Sequence, residues 1–136
     1  MRAGGQTLEH AVVPATLLTD TTPDMTLYDN EIFGAVTTVL PADGNAHAIH
    51  LANDTHYGLT AGVISENLHD GIEVARRLRT GIVHVNDQTL NNDAYAPFGG
   101  TGASGNGSRF GSQSSWDEFT QWQWVTARPQ AHGFPF

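Results

Sequence analysis

The sequence predicts an α/β fold in which βαβ crossovers build a mostly parallel sheet. Three observations lead there. Short runs rich in β-branched residues recur along the chain, helical apolar spacing separates them, and the order strand–helix–strand–helix–strand is completed within about fifty residues, as crossover units require. Such a sheet needs cover on both faces.

The elements follow in order. HAVVPATLL, residues 10–18, reads as a strand in which Pro14 marks a sheet edge or a bulge. Thr19 to Pro23 is a polar break, and VTTVLPA, Val36 to Ala42, is a strand closing at Pro41. Asp43 is placed to cap a short helix with Ala46, Ile49 and Ala52 on one face, ended by Asn53 and Asp54. LTAGVIS, Leu59 to Ser65, is a buried strand. A second helix starts at the cap Asn67, carries Leu68, Ile72, Ala75 and Leu78 on one face, and gathers Arg76, Arg77 and Arg79 in its last turns, where the helix dipole favours cations. Gly81 is placed to end it. IVHVN, Ile82 to Asn86, is the next strand. An Asn-, Gly- and Ser-rich stretch then runs to Gln113, too long for an ordinary connection. Ser114 or Ser115 is expected to cap a helical turn through Trp116 to Phe119. QWQWVTA, residues 121–127, alternates as a final strand with Trp122 and Trp124 on one face.

At 136 residues the chain has room for a single domain, 1–136. Its net charge of −8 opposes binding to phosphate backbones and anionic membranes, so nucleic acid and membrane surfaces are not expected partners. With zero cysteines it has no disulfide, no thiolate metal ligand and no thiol nucleophile. No apolar run reaches the length of a membrane span, and the N-terminal residues lack the hydrophobic stretch of a signal peptide, so a cytoplasmic location is expected.

Three constellations invite chemistry. Gly100 to Gly105, GTGASG, satisfies G-x-G-x-x-G, but a dinucleotide fingerprint needs a strand before it, a helix after it and an acidic residue about twenty positions on. Ala96-Pro97-Phe98 is a poor strand and Asn106-Gly107-Ser108 a poor helix, so the glycines read as a structural loop. His47, His50 and His56 could meet a metal, yet no local carboxylate completes a ligand set, and no metal is expected. Ser104, His84 and Asp87 supply the residue types of a triad without the spacing of a nucleophile elbow.

Taken in order, a series of segments resembles the C-terminal part of the aldehyde dehydrogenase superfamily over nearly the whole chain. They are Gly4-Gly5, Val13-Pro14-Ala15-Thr16-Leu17, Asn30-Glu31-Ile32-Phe33-Gly34-Ala35-Val36, Ala52 to Val63, Gly81-Ile82-Val83-His84-Val85-Asn86-Asp87, Pro97 to Gly105, and Glu118-Phe119-Thr120. The wording Val85-Asn86-Asp87-Gln88-Thr89 looks like the branch acting on aromatic aldehydes such as benzaldehyde or vanillin.

The resemblance implies a partial catalytic domain with NAD or NADP as cofactor. Glu31 matches the glutamate that hydrogen-bonds the nicotinamide ribose, and Phe33 an aromatic residue beside that ribose, core packing being its alternative role. Phe98 matches an aromatic wall of the aldehyde channel, whose mouth the Asp87–Tyr95 loop covers. Asn86 has the simpler alternative of satisfying backbone groups at a strand end. Ala35 stands where the family usually has proline, and Thr101-Gly102 departs from a frequent lysine-containing version. No residue matches the nucleophilic cysteine, the general-base glutamate or the oxyanion asparagine, so no catalytic residue is assigned and activity of the chain alone is not expected. The segment 121–127 matches a strand used in oligomerisation, which implies a homo-oligomer or a complex with a complementary aldehyde dehydrogenase chain. A noncatalytic interaction module and a small protein binding aromatic ligands are the competing expectations.

Overall fold

The structure, a computed structural model, describes residues 3–6 and 12–133. In chain order its elements are β1 (Thr16–Thr19), α1 (Thr26–Asp29), β2 (Val36–Val39), α2 (Gly44–Asn53), β3 (Thr60–Val63), α3 (Leu68–Ala75), β4 (Ile82–Val85), a 3-10 turn (Gly102–Ser104) and α4 (Ser114–Phe119). β1 pairs with β2 in parallel, Thr16 opposite Val36, and β3 pairs with β4 in parallel, Thr60 opposite Ile82. The class and the parallel pairing are those expected. The ladders form two separate two-stranded sheets, with α1 crossing within the first, α3 within the second and α2 joining them.

β1 starts two residues after Pro14, whose carbonyl accepts the Thr16 hydroxyl at 2.9 Å. His10 and Ala11 of the expected strand lie outside the described residues. β2 stops at Val39, short of Pro41. The short helix α1 has no counterpart in the sequence reading, because four residues are too few to show a period.

Helix boundaries differ where a distant side chain takes the backbone. The Asn67 side chain caps α3 as expected, accepting from the N–H groups of His69 and Asp70. α3 then ends at Ala75, so Arg77 and Arg79 fall beyond it and Gly81 does not terminate it. The cause is Asn53: its amide donates to Arg77 O at 2.9 Å and its oxygen accepts from Arg79 N–H at 2.7 Å, turning the chain out of the helix and tying the end of α2 to it. Gly81 serves a close approach instead, since a Cβ there would lie 1.7 Å from the Gly99 carbonyl oxygen. Asp43 holds the position before α2 without a side-chain capping bond; its own N–H donates to His47 Nδ1 at 3.1 Å. Ser114 and Ser115 lie inside α4, where they bond the backbone of Gly111, and Gln113 holds the position before it.

α3 lies close on β4, because Gly71 lets the helix backbone approach: a Cβ there would meet Val85 Cγ1 at 2.9 Å. Even so, Ile49 of α2 is the one buried hydrophobic residue among those described. A folded monomer of this mass exposes about 6,900 Å², whereas this chain exposes 11048 Å². Sheet faces and helix flanks that would ordinarily be covered are open.

The expected strand at 121–127 does not form: the segment has no regular structure. A strand exists only where a neighbour takes its N–H and C=O groups, and no described part of this chain does so here. Trp122 and Trp124 are 101% and 91% exposed.

Candidate functional site

Glu31 follows directly on α1, and the structure fixes that helix end by side chains rather than by burial. The Tyr28 hydroxyl donates to Asp54 at 2.8 Å, Asn30 donates to Thr26 O at 2.8 Å, and Asp29 accepts the His56 backbone N–H at 3.3 Å. The other Asp29 oxygen bonds His56 Nδ1. The Thr55 hydroxyl first, and His56 second, hold the Asp29 carboxyl below its ordinary acidity range. The same bond to Asp54 pushes the Tyr28 phenol up.

On this footing Glu31 lines two adjoining hollows. One of about 240 Å³ is shared with Tyr28, Thr37 and Tyr57, and one of about 360 Å³ with Tyr57, Thr60 and Ser104. Phe33 is 92% exposed, which removes core packing within this chain as its role. An exposed carboxylate with two acceptor oxygens and a bare aromatic face two residues on suit one wall of a ribose and nicotinamide site. Ala35, in place of proline, leads directly into β2, its carbonyl accepting Thr16 N–H at 2.7 Å.

Phe98 belongs to a second region. Its backbone exchanges both hydrogen bonds with Phe110, at 2.8 and 3.0 Å, and the two rings lie 5.1 Å apart. Together with Ile82 and His84 of β4 and the loop residues Asn91, Asp93 and Pro97 it lines a cavity of about 210 Å³. The loop over this cavity is braced by Asp87, whose carboxylate accepts from Asn91 at 2.6 Å and from Gln88 N–H at 2.8 Å. Those bonds, Asn91's first, hold its carboxyl below the usual carboxylate range. Asn86 satisfies backbone groups at the end of its strand. It sits at φ 57° and its amide bonds both backbone groups of Ser65, at 2.8 and 2.9 Å, closing the end of the β3–β4 ladder.

The glycine loop packs on Gly58. Thr101 N–H donates to Gly58 O at 3.0 Å, Ala103 N–H to His56 O at 2.9 Å, and Gly58 N–H to Ser104 Oγ at 3.1 Å. The Thr101, Ala103 and Ser104 amides are therefore bonded within the protein, and the turn within the loop is three residues of 3-10 helix, not the start of an α-helix. Gly100 is demanded by proximity, since a Cβ there would stand 2.5 Å from Ser104 O.

Ser104, His84 and Asp87 are not assembled: Ser104 faces Gly58 and Asp87 braces its own loop. His47 and His56 face different carboxylates, Asp43 and Asp29, and the described residues bring no three metal-binding side chains together. The Asn53 clamp, the Asp29–His56 pair and the placing of His84 beside Phe98 were not read from the sequence. Each joins residues 14 to 27 positions apart with no spacing rule to signal it.

The profile of the aldehyde dehydrogenase family matches residues 2–125. The chain is 42% identical to a benzaldehyde dehydrogenase [NAD(+)] of Pseudomonas putida, covering 99% of this chain and 29% of the relative. It is 43% identical to a vanillin dehydrogenase of an Amycolatopsis species, covering 98% of this chain and 28% of that one. Among solved structures, a salicylaldehyde dehydrogenase from Pseudomonas putida G7 complexed with salicylaldehyde superposes with a TM-score of 0.86 at 41% identity, over 99% of this chain and 28% of that one. The chain thus spans under a third of the length of these relatives.

Proposed function

The chain belongs to the aldehyde dehydrogenase family, and from that premise we propose that it supplies the distal walls of an NAD(P)-dependent site oxidising aromatic aldehydes to carboxylic acids. The observation that carries this reading is the match, over almost the whole chain, to one defined stretch of dehydrogenases named for benzaldehyde and vanillin.

In this reading Glu31 accepts hydrogen bonds from the ribose hydroxyls and Phe33 restrains the nicotinamide against a flat apolar face. NAD(P)+, when bound, supplies the hydride acceptor. Phe98 and the Asp87–Tyr95 loop hold the aldehyde ring, in a cavity small beside the roughly 300–1,000 Å³ of pockets for drug-sized ligands. The nucleophilic thiolate must come from elsewhere, because the sequence has no sulfur nucleophile to offer. A complementary portion of the family's chain provides the thiolate, the general-base carboxylate and the nucleotide-binding fold, and covers the surface left open here. In this reading the protein is cytoplasmic; no helix of the described residues is long and apolar enough to cross a membrane.

The test is aldehyde preference in an enzyme reconstituted from this chain and a complementary portion. Benzaldehyde should outpace acetaldehyde in kcat/KM, and Phe98→Ala should narrow that gap. Equal use of both aldehydes would remove the aromatic assignment. A noncatalytic interaction module is the second reading, favoured by the bare Trp122 and Trp124; tight association with the complement without restored turnover would select it.

A further inference from the structure

Asn106-Gly107, in the glycine-rich loop, is the one Asn-Gly pair in the sequence and lines neither the Glu31 hollows nor the Phe98 cavity. Both residues are exposed and lie outside any helix or strand. The Asn106 side-chain oxygen accepts two hydrogen bonds from Ser108, from its N–H at 3.0 Å and from its hydroxyl at 2.7 Å. The Asn106 amide nitrogen and the Gly107 N–H have no acceptor among the described residues. Gly107 stands at φ 94° in open space, with nothing within 4 Å of where a Cβ would be.

This arrangement favours attack of the Gly107 nitrogen on Asn106 Cγ. As that bond forms, negative charge gathers on the side-chain oxygen, where two donors already point. No bond holds the departing nitrogen, and glycine has no side chain to block the approach. The other asparagines lack the combination. Asn30, Asn53, Asn86 and Asn91 have their amide nitrogens bonded, to Thr26 O, Arg77 O, Ser65 O and Asp87. Asn45 lies within α2. Asn67 has two N–H groups on its oxygen, but Leu68 follows it and opens α3, which fixes the peptide between them. Asn92 is exposed in a loop, yet Asp93 follows it.

We infer that Asn106 is a self-modifying site at which the folded chain converts a side-chain amide into an acid. The Gly107 nitrogen loses its proton to water and bonds Asn106 Cγ, the Cγ–Nδ2 bond breaks, and that nitrogen leaves as ammonia, closing a succinimide ring. Water then opens either carbonyl of the ring, giving aspartate or isoaspartate at position 106; nothing is oxidised or reduced. The product carries a new negative charge close to Arg109, whose guanidinium donates to the carbonyls of Gly107 and Ser108 at 2.8 and 2.9 Å and of Gly100 at 3.4 Å. A carboxylate competes with those carbonyls for the guanidinium, which loosens the loop between Phe98 and Phe110.

The experiment incubates the chain at neutral pH, native and unfolded in urea, and locates each amide-to-acid change by mass spectrometric peptide sequencing, with enzymatic methylation to detect isoaspartate. Asn106 should convert before every other asparagine, and no more slowly in the native chain than in urea. Ser108→Ala removes one of the two donors and should slow the native reaction roughly three- to tenfold, the range one hydrogen bond contributes, while leaving the rate in urea unchanged. Asn106→Gln should abolish the change at this position. If Ser108→Ala does not fold, the native and urea rates of the unsubstituted chain decide. Conversion of Asn67 or Asn92 ahead of Asn106, an amide that persists in the native chain while urea-unfolded chain loses it, or a native rate indifferent to Ser108→Ala overturns the inference.

Discussion

Asp29 and His56, 27 positions apart, are joined twice: the carboxylate accepts the His56 backbone N–H at 3.3 Å and bonds its imidazole Nδ1. This double contact, with Tyr28 on Asp54, anchors the short helix from which Glu31 and Phe33 extend.

Asp29→Ala should therefore loosen residues 30–34 without unfolding the β3–α3–β4 unit, seen as faster amide exchange there and unchanged exchange in α3. The pH dependence has a definite sign. The Asp29 carboxyl is held below its ordinary value of 3.8, so its contribution is complete above that value and is lost as pH falls through the lower folded-state value. Exchange of the Glu31 and Phe33 amides should accelerate on acidification below pH 3.8 beyond what the bulk pH effect gives, and Asp29→Asn should abolish the excess.

Two glycines separate proximity from mere flexibility. A Cβ on Gly81 would lie 1.7 Å from the Gly99 carbonyl oxygen, while nothing lies within 4 Å of one on Gly34. Gly81→Ala should cost about 3 kcal/mol or more, enough to prevent folding of so lightly buried a chain, since backbone must move. Gly34→Ala should change the urea midpoint little.

The two helix starts should respond differently to the same change. Asn67→Ala removes a side chain that accepts from two N–H groups and should destabilise α3 by about 1 kcal/mol. Asp43→Ala removes no capping bond from α2 and should stay within about 0.5 kcal/mol.

Trp122 and Trp124 present large apolar faces on a segment whose backbone pairs with no strand among the described residues. The chain by itself should sediment as more than a monomer at micromolar concentration, and Trp122→Ser with Trp124→Ser should lower its mass. A stable monomer before the substitutions would contradict an assembly role for 121–127.

Local patterns carried the parts of this fold that sequence could disclose. β3, the Asn67 cap and β4 are each marked by residues within one or two turns of one another. The end of α3 was not, because Asn53 sets it from 24 positions away, and the arginines that looked like its last turn follow it. The 121–127 segment forms no strand in the single chain for a related reason: alternation describes which face would be apolar, and pairing depends on another strand being there. Glu31, Phe33 and Phe98 are candidates through family wording alone, whereas the placing of His84 in one cavity with Phe98 follows only from the way β4 faces its covering loop.

The most direct measurement follows NADH formation from benzaldehyde and NAD+ as a complementary, cysteine-bearing portion of the family's chain is titrated into this protein. The account predicts no turnover at the start and a rate that climbs to a plateau near one equivalent, lowered by Glu31→Ala. Turnover before any complement is added, or none once the two portions are fully associated, would contradict it.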